Sequence, residues 1–327
     1  MAESQPSVLV TGGAGYIGAH CCKELHRRGS TPVTVDSLIY GHRRNVRWGP
    51  FYEGGIDDTA LLEMVLAKHS IQAVMHFAAF AYVGESMTDP KRYYENNVCG
   101  TVALLDRIVA HRIPHVIFSS SCATYGVPER LPIDESHPQR PISPYGKSKR
   151  MIEEILDDYQ RAYPLRCMSL RYFNAAGADP EGELGEDHDP ETHLIPLVLD
   201  AAQGGSKPLQ VFGTDYDTDD GSCIRDYIHV TDLADAHILA LEKLRQGSRG
   251  DCINLGIGNG YSVLEVIRTA ETVTGRPIPF EVVQRRPGDP AVLVASNRKA
   301  RDVLGWTPRF PQLTDIIATA WNWHRKR

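Results

Sequence analysis

The feature that most constrains the fold of this chain is a glycine-rich turn near its beginning. A short β-branched run over residues 7–11 is followed at once by Gly-Gly-Ala-Gly-Tyr-Ile-Gly at 12–18, and then by a helical pattern through Leu25. The glycines at 13, 15 and 18 match the spacing G-x-G-x-x-G. In this spacing one glycine permits a tight turn, one lets the backbone approach a pyrophosphate, and one allows close packing of the helix. The sequence therefore predicts a strand, a turn and a helix whose N-terminus binds an anion.

A carboxylate follows the next predicted strand. Residues 31–35 form this strand, and Asp36 ends it about 20 residues after the glycines, where a carboxylate accepts a hydrogen bond from an adenosine ribose hydroxyl. Together the two features predict a dinucleotide site. Asp36 would repel a ribose 2′-phosphate, which favours NAD over NADP. Arg43 and Arg44 would weaken that preference if they faced the ribose, but we interpret them as solvated loop residues.

Later segments alternate between the two kinds of secondary structure. Apolar runs at 73–77, 115–118 and 165–170 predict strands, and residues 92–110 and 145–163 predict helices. Strands separated by helices of this length form a parallel sheet that is covered on both faces. We therefore expect an α/β fold with a doubly wound parallel sheet, the Rossmann arrangement.

A second, smaller α/β domain that binds the substrate is expected from two polar, turn-dense segments, at 175–189 and 204–226. A later apolar run should return to the large sheet as a strand. The expected division is a dinucleotide-binding domain of residues 1–174 plus about 227–257, and a substrate-binding domain of about 175–226 plus 258–327.

Charge and cysteine content narrow the class of protein. A net charge of −6 and a pI near 6.1 argue against a chain that coats nucleic acid or an anionic membrane. Residues 1–6 have no basic or apolar signal region, and the most apolar window is too short to span a bilayer, so a cytoplasmic location is expected.

Seven cysteines without a Cys-x-x-Cys pair argue against disulfides and a thiolate zinc site. His188 and His193 flank a Pro-containing loop and are interpreted as solvated, so no metal is predicted.

A tyrosine and a lysine four residues apart begin the longest predicted amphipathic helix. Tyr145 and Lys149 share one face, so the ammonium can lie beneath the phenol and favour its ionised form. Pro144 suits the first turn, and Ser143 is the expected N-cap. Half-ionisation near neutral pH requires the phenol pKa to fall by roughly 3 units from about 10, or about 4 kcal/mol, which is more than one exposed ion pair supplies. A second cation is therefore needed.

Ser121 lies just beyond the end of a predicted strand, where open α/β sheets place their ligands. The oxidised nicotinamide ring of NAD, bound in the same crevice, would supply the second cation. Tyr145 is thus predicted to act as a base beside the bound cofactor.

Several further segments follow the glycine turn in a characteristic order. They are Val-Gly-Glu-Ser at 83–86, Asn-Asn-Val at 96–98, residues 143–149, Arg-Tyr-Phe-Asn at 171–174, residues 221–235, and Arg-Arg-Pro-Gly-Asp at 285–289. With this pattern nearly the whole chain resembles the extended short-chain dehydrogenase/reductase family, and within it the UDP-glucose 4-epimerases. The pair of Tyr145 and Lys149 marks only the superfamily, and the later segments carry the resemblance to the subfamily.

The resemblance implies a reaction that leaves the cofactor unchanged overall. Tyr145 would take the proton from the sugar 4-hydroxyl while Ser121 hydrogen-bonds the same oxygen, and the C4 hydride would pass to NAD. The 4-keto sugar, tethered through its diphosphate, would then present its other face and take the hydride back. Lys149 would also grip the nicotinamide ribose, and Asn97 would support the cofactor.

The resemblance also implies the binding residues. Arg225 and Arg285 match arginines that meet the UDP diphosphate, and Asp289 matches a contact to the uridine ribose. The set implied for the cofactor is Gly12, Gly15, Tyr16, Ile17, Gly18, Asp36, Ile56, Phe77, Ala78, Asn97, Tyr145, Lys149 and Tyr172. The set implied for the substrate is Ser121, Tyr145, Asn174, His193, Leu194, Leu209, Phe212, Arg225, Arg285 and Asp289. The alternatives are surface ion pairs for the two arginines and turn-forming roles for Asn174 and Asp289.

Four positions depart from the family pattern. Gly55 stands where many relatives have an aspartate near the adenine amino group, which is expected to weaken NAD binding unless Asp57 reaches that place. Ala81 stands where some members carry a lysine near the cofactor phosphates and the substrate, and His193 lies in Thr-His-Leu, which replaces an Asn-Asn-Leu triplet. Leu293 occupies the position that gates pocket volume, and its intermediate size leaves acceptance of N-acetylated sugars open.

The leading hypothesis is an isomerase, an NAD-dependent 4-epimerase that interconverts UDP-glucose and UDP-galactose. UDP-pentoses or UDP-N-acetylhexosamines are alternative main substrates. A sugar-nucleotide 4,6-dehydratase is less favoured because the segment 122–124 offers no carboxylate, and a silent NAD-binding sensor would have no reason to keep Tyr145, Lys149 and Ser121 together. The family usually forms homodimers through two long helices per subunit, here residues 92–110 and 145–163.

Overall fold

Seven parallel strands form the central sheet in a computed structural model that describes residues 6–205, 208–286 and 288–327. Pro287, which belongs to the segment at 285–289, lies outside the described residues. The strands are β1 (Ser7–Thr11), β2 (Thr31–Asp36), β3 (Phe51–Glu53), β4 (Ile71–His76), β5 (His115–Ser121), β6 (Arg166–Tyr172), β7 (Asn174–Ala176), β8 (Leu209–Phe212), β9 (Ile224–Arg225), β10 (Tyr227–His229), β11 (Cys252–Leu255), β12 (Tyr261–Ser262), β13 (Phe280–Val283) and β14 (Val292–Leu293). The helices are α1 (Tyr16–Arg27), α2 (Thr59–Lys68), α3 (Val83–Thr88), α4 (Pro90–Tyr93), α5 (Gly100–Ala110), α6 (Pro144–Ala162), α7 (Leu194–Ala202), α8 (Val230–Arg245), α9 (Val263–Thr274) and α10 (Leu313–His324).

The strand order of the large sheet is β11-β6-β5-β4-β1-β2-β3, and every neighbouring pair is parallel. This confirms the predicted doubly wound α/β fold, and β11 returns to the edge of the sheet beside β6. The direction of winding reverses between β1 and β4. Open α/β sheets bind ligands in the crevice outside the carboxyl ends of the strands at such a point. The order of the strands alone therefore indicates where the site lies.

Both faces of the large sheet are covered, which explains the unbroken apolar runs of its strands. In β1, Val8 and Val10 pack into a core shared with α1 and α8, whereas Leu9 packs on the other face with residues of α2, α5 and α6. Successive side chains of a strand point to opposite faces, so a strand buried on both sides has no polar positions to alternate with.

The helix α6 begins as the sequence predicts. The Ser143 Oγ accepts a hydrogen bond from the Gly146 N–H at 3.1 Å, and Pro144 occupies the first turn. Ile152 and Leu156 are buried against the sheet, whereas Met151 is 42% exposed. The apolar stripe of α6 therefore has one side in the core and one side toward solvent.

The helix predicted for 92–110 is present, but part of its first half is a π-helix. α4 passes into a π-helical turn over Tyr94–Cys99, which then continues as α5. Such a turn inserts an extra residue and leaves no distinct periodicity in the sequence, and these turns are frequent at functional sites. This one carries Asn97, which is fully buried.

The smaller part of the protein has a core of its own, formed mainly by α7, α9 and α10 with β8, and β13 pairs with β8 at its edge. α8 packs on the large sheet, and β11 is its edge strand. The expected division into two interleaved domains stays a prediction. A segment near the C-terminus also contributes to the core of the large sheet. Trp306 is fully buried in the core of the large sheet and donates its Nε1–H to the carbonyl of Asp232 at 3.0 Å.

All seven cysteines are free thiols, and Cys21, Cys22, Cys167 and Cys223 are buried. Within the described residues, no helix is both long and apolar enough to cross a membrane.

Candidate active site

A cavity opens at the carboxyl ends of β1, β2 and β4, where the winding of the sheet reverses. Its lining comes mainly from the loops that follow these strands and β3, with His188 and His193 at one edge. Six residues predicted to bind the cofactor take part in it, namely Gly12, Gly15, Asp36, Ile56, Phe77 and Ala78. The structure therefore brings these six of the thirteen predicted cofactor residues together around one cavity.

The glycine turn places the first turn of α1 next to this cavity. Gly12 has a φ of 76°, and a Cβ atom there would lie 2.6 Å from the backbone nitrogen of Ala78. Gly18 lies so close to the Gly12 carbonyl oxygen that a side chain at position 18 would collide with it. Gly15 is the N-cap of α1 and offers no side chain to the free N–H groups of Tyr16 and Ile17. These N–H groups have no intrahelical acceptor and can bind a phosphate.

Asp36 is held at the cavity by two backbone hydrogen bonds. Its Oδ2 accepts from the Ala14 N–H at 2.9 Å and its Oδ1 from the Leu38 N–H at 2.8 Å. Burial raises the pKa of this carboxyl group, and the two N–H groups oppose the rise. Arg43 stacks on the ring of Phe51 and Arg44 pairs with a carboxylate outside the cavity. The geometry thus fits an unphosphorylated adenosine ribose.

Gly55, where many relatives are expected to have an aspartate, has the side chain of Asp57 beside it. Gly55 lines the cavity, and the carboxylate of Asp57 occupies the space that a side chain at position 55 would need. Asp57 is exposed and is not among the described residues that line the cavity, so the expected weakening of NAD binding stays a prediction.

Asn97 supports the cavity wall through the backbone of Phe80. Its Oδ1 accepts from the Phe80 N–H at 2.9 Å, and its Nδ2 donates to the Phe80 carbonyl at 3.0 Å and to the Ser148 Oγ at 3.2 Å. This fully buried amide joins the loop after β4 to the first turns of α6. The π-helical turn is what brings the amide to that loop.

Tyr145, Lys149 and Ser121 meet at the carboxyl end of β5. The Lys149 Nζ donates to the Ser119 carbonyl at 2.7 Å and lies 5.9 Å from the centre of the Tyr145 ring. Burial raises the pKa of Tyr145 to about 12, and the Ser121 hydroxyl opposes this rise. Burial also lowers the pKa of Lys149 to about 7, against the opposing effect of Glu153.

These two pKa values determine whether Tyr145 and Lys149 can act together as a base without a bound cofactor. At neutral pH the phenol is protonated, and the lysine has lost part of its charge. Lowering the phenol pKa from about 12 to about 7 takes about 7 kcal/mol, because each pKa unit corresponds to about 1.4 kcal/mol. The geometry therefore requires an additional cation near the phenol, as the sequence predicts.

A buried ion pair beneath Lys149 was missed in the sequence. Glu153 and Arg171 are paired at 2.6 Å, and both side chains are 5% exposed. Glu153 also accepts a hydrogen bond from Ser120 at 2.5 Å. The signal was present in the sequence, because Glu153 lies four residues after Lys149 and therefore on the same helix face.

The two predicted diphosphate arginines are ion-paired in the structure. Arg225 lies 2.5 Å from Asp289, another predicted substrate contact, and exposes 11% of its side chain. Arg285 lies farther out, at 38% exposure, pairs with Asp215 and stacks on the ring of Tyr216. Each guanidinium thus has a carboxylate partner that an incoming phosphate can replace.

The remaining predicted residues are more dispersed. The Asn174 Nδ2 donates to the Asp226 carbonyl at 3.0 Å, and the Tyr172 hydroxyl is hydrogen-bonded to that of Ser119. Leu194 and Leu209 pack in the core of the smaller domain, and Phe212 carries the guanidinium of Arg286 on its ring. His193 lies at the cofactor cavity together with His188.

Leu293 lies beside the predicted diphosphate site. It pairs with Arg225 in the β14–β9 ladder, and its side chain packs in a small cluster that contains Cys122 and Phe173. Cys122 directly follows Ser121. Leu293 therefore lies where a sugar would sit if its diphosphate met Arg225 and its ring met Ser121.

Two groups of side chains have the spacing of metal donors. Glu186, His188, Glu191 and His193 place four donor atoms within 4.8 Å of one another. The second group, Asp179, Glu181 and Glu183, surrounds the ammonium of Lys23 at 2.6–2.9 Å. In the first group the two imidazoles pair with the two carboxylates. His188 and His193 are thus members of an ion-pair cluster, and the interpretation of solvated loop residues is wrong for His188, whose side chain is 19% exposed.

Comparison with known proteins gives one consistent result. The NAD dependent epimerase/dehydratase family matches residues 8–256. The UDP-glucose 4-epimerase of Rhizobium leguminosarum bv. trifolii is 54% identical over 320 residues, which cover 98% of each chain. The UDP-glucose 4-epimerase of Brucella ovis, solved in complex with NAD, is 53% identical, with 97% of each chain covered and a TM-score of 0.95. The UDP-glucose-4-epimerase of Stenotrophomonas maltophila, solved with bound NAD and formylated UDP-arabinopyranose, is 40% identical, with 98% of each chain covered and a TM-score of 0.95.

Binding of NAD in its oxidised form should lower the pKa of Tyr145. In nucleotide-free protein this phenol should stay protonated up to about pH 10, whereas with saturating NAD it should ionise between neutral pH and about 9, since the added cation favours phenolate. The measurement is phenolate absorbance against pH for wild type minus Tyr145→Phe, with and without NAD. Identical difference curves in the two conditions would contradict the expected coupling.

Proposed function

The chain belongs to the NAD dependent epimerase/dehydratase family, and from this premise we propose that it is an NAD-dependent 4-epimerase that interconverts UDP-glucose and UDP-galactose. The observation that carries the proposal is the meeting of Tyr145, Ser121 and Lys149 at the carboxyl end of β5. On one side, the rings of Tyr93 and Phe80 connect Tyr145 to the cofactor cavity. On the other side, Cys122 and Leu293 pack against the same small cluster, and Leu293 pairs with Arg225 between β14 and β9.

The cofactor, when bound, supplies the acceptor and later the donor of the hydride at sugar C4. Tyr145, as the phenolate, accepts the proton of the 4-hydroxyl, and Ser121 donates a hydrogen bond to the same oxygen. Lys149 lies 5.9 Å from the phenol ring and stabilises its ionised form. Since Tyr145 returns the same proton after the sugar has turned, the reaction is reversible and changes only the configuration at C4.

The diphosphate of the substrate holds the molecule while the sugar turns. Arg225 and Arg285 exchange their carboxylate partners, Asp289 and Asp215, for phosphate oxygens, which a guanidinium binds in a bidentate manner. Asp289, once released, can accept a hydrogen bond from the uridine ribose. The other residues that the resemblance implies for cofactor and substrate are part of this proposal, except His193, which lines the cofactor cavity.

A 4,6-dehydratase is a poorer fit to the same residues. Elimination of water needs an acid and a base beside the strand-end serine, and the segment 122–124 provides a cysteine, an alanine and a threonine. Burial raises the pKa of Cys122 to about 12, so its thiol is not a base at neutral pH. A binding protein without catalysis has no use for a phenol, a lysine and a serine arranged around one point.

The protein is also proposed to act as a homodimer through the outer faces of α5 and α6. On α6 the side chain of Met151 is 42% exposed, and that of Tyr163, just past the helix end, is 44% exposed. These positions continue the apolar stripe whose other side is buried, so a second copy of the chain can cover them.

Purified protein given UDP-glucose and no added reductant should form UDP-galactose, measured by chromatography of the nucleotide sugars. Tyr145→Phe should lower this rate by roughly 10²–10⁴-fold, the usual contribution of a positioned acid–base group, with NAD still bound. Tyr163→Phe, an exposed tyrosine at the end of the same helix, is the matched control and should keep the wild-type rate. No product from UDP-glucose, UDP-pentoses or UDP-N-acetylhexosamines would reject the proposal.

Leu293→Tyr should reduce kcat/KM for UDP-N-acetylglucosamine at least tenfold relative to UDP-glucose, because a larger side chain fills the space of the N-acetyl group. Leu293→Ala should shift the ratio in the opposite direction. Val292→Ala, whose side chain alternates to the other face of β14, should leave the ratio within about twofold. Equal ratios in all four proteins would place the gate elsewhere.

Met151→Glu should shift the protein from dimer to monomer in size-exclusion chromatography with light scattering, because the dimer would bury a charge without a partner. Val282→Glu, at a position 53% exposed on β13 of the smaller domain, is the control and should stay dimeric. A monomeric wild type, or a dimeric Met151→Glu protein, would argue against this face.

A further inference from the structure

Two histidines and two glutamates form a cluster at the edge of the cofactor cavity, in the loop between β7 and α7. This imidazole–carboxylate cluster consists of Glu186, His188, Glu191 and His193. Both imidazoles line the same cavity as Gly12. The mechanism described above makes no use of His188 or of the two glutamates.

The loop that carries the cluster is fastened to the large domain, so the cluster is part of a fixed wall of the cavity. Three backbone carbonyls of the loop accept side-chain hydrogen bonds from that domain, and a lysine of α1 is enclosed by carboxylates near the start of the loop. These contacts are Tyr16 Oη to the Gly177 carbonyl (2.6 Å), His42 Nε2 to the Asp187 carbonyl (2.7 Å), Tyr82 Oη to the Pro190 carbonyl (3.0 Å), and Lys23 Nζ to Asp179, Glu181 and Glu183 (2.6–2.9 Å).

Each imidazole of the cluster has its Nδ1 near a carboxylate. The His193 Nδ1 lies 2.9 Å from Glu186 and 2.8 Å from Glu191, and the His188 Nδ1 lies 3.3 Å from Glu186. Burial would lower the pKa of both rings, but the carboxylates outweigh it and raise the pKa to about 9 for His188 and about 10 for His193. Solvent screens the His193 pairs more, because 48% of that side chain is exposed. Both rings are imidazolium groups at neutral pH.

An imidazolium group whose Nδ1–H faces a carboxylate keeps its Nε2–H as a second donor. The ring of His188 lies edge-on to that of Tyr16, the first residue of α1, at 6.3 Å between centres. The described residues that line the cavity include no lysine or arginine, and Ala81 is among them. Within that lining, the two imidazolium groups are therefore the cations beside the helix N-terminus.

We propose that His188 and His193 bind the pyrophosphate of the dinucleotide as a pair of cationic donors, and that Glu186 and Glu191 position them. The proposal rests on the cofactor part of the proposed function and is independent of the sugar chemistry. The glycine turn supplies backbone N–H groups from one side, and the cluster supplies charged N–H groups from the other. The cluster is neutral as a whole, so its burial does not depend on a bound ligand.

The first test measures binding of NAD, ADP and adenosine to the nucleotide-free full chain by calorimetry. His188→Gln with His193→Gln should weaken NAD and ADP by roughly 10–100-fold, the loss expected for charge-assisted hydrogen bonds, and should leave adenosine within about threefold. His42→Gln is the matched control, because His42 contacts the same loop without lining the cavity, and it should bind ADP within about threefold of wild type.

Two further readouts separate direct binding from support of the loop. The titratable groups that face the two rings are Tyr16, His42, Tyr82, Glu186 and Glu191. Since the protonated rings bind the anion, ADP affinity of wild type should fall as the pH rises through about 9–10, and the double variant should lack this fall. Adding Ala81→Lys to the double variant puts a cation in the same cavity and should restore at least part of the ADP affinity.

Three results would overturn the proposal. They are unchanged ADP affinity in the double variant, an equal loss for adenosine, and one equivalent of zinc in wild type that the double variant lacks, measured by elemental analysis. The zinc result would assign the four donors to a metal ion. A wild type that binds NAD and ADP as expected but fails to epimerise any UDP-sugar would reject the sugar chemistry alone.

Discussion

The structure depends on the contact that ties three strand ends together at Gly12. Its N–H donates to the Val35 carbonyl of β2, and the neighbouring Thr11 carbonyl accepts the N–H groups of Phe77 and Ala78 after β4. Only a residue without a side chain, free to adopt a φ of 76°, fits so near those backbones. The start of α1, the position of the carboxylate at the end of β2 and the floor of the cavity all follow from this junction.

Around that junction the charged side chains of the site form ion pairs, and a bound ligand can replace one member of a pair. Arg225 is held by Asp289, and the two imidazoles near the glycine turn are held by two glutamates. Lys149 is different, because burial lowers its pKa to about 7, and beneath it Glu153 is committed to Arg171. The substrate-binding and cofactor-binding groups therefore keep their charge through a carboxylate partner, whereas the Tyr145 phenol depends on the cation of the cofactor for its ionisation.

Periodicity and glycine spacing were enough to predict the large sheet, the turn before α1 and the N-cap of α6, because each depends on residues that are close in the sequence. The π-helical turn at Asn97 was not predictable, since it is set by a contact with Phe80 that is distant in the sequence. The same limit hid Glu153, whose helix position suited solvent as well as a buried partner. At Gly55 the sequence pattern showed that a carboxylate is absent, and only the fold showed that the side chain of Asp57 crowds position 55.

Trp306 has a consequence for how the protein can be dissected. The chain enters the smaller domain after β7, returns through α8 and β11, leaves again for α9, and comes back once more where Trp306 fills the core beneath α8. No single continuous segment corresponds to the smaller domain. A chimera that takes its C-terminal segment from a relative of different sugar preference would disrupt the cores of both domains. Sugar preference therefore has to be changed by substitution of individual pocket residues.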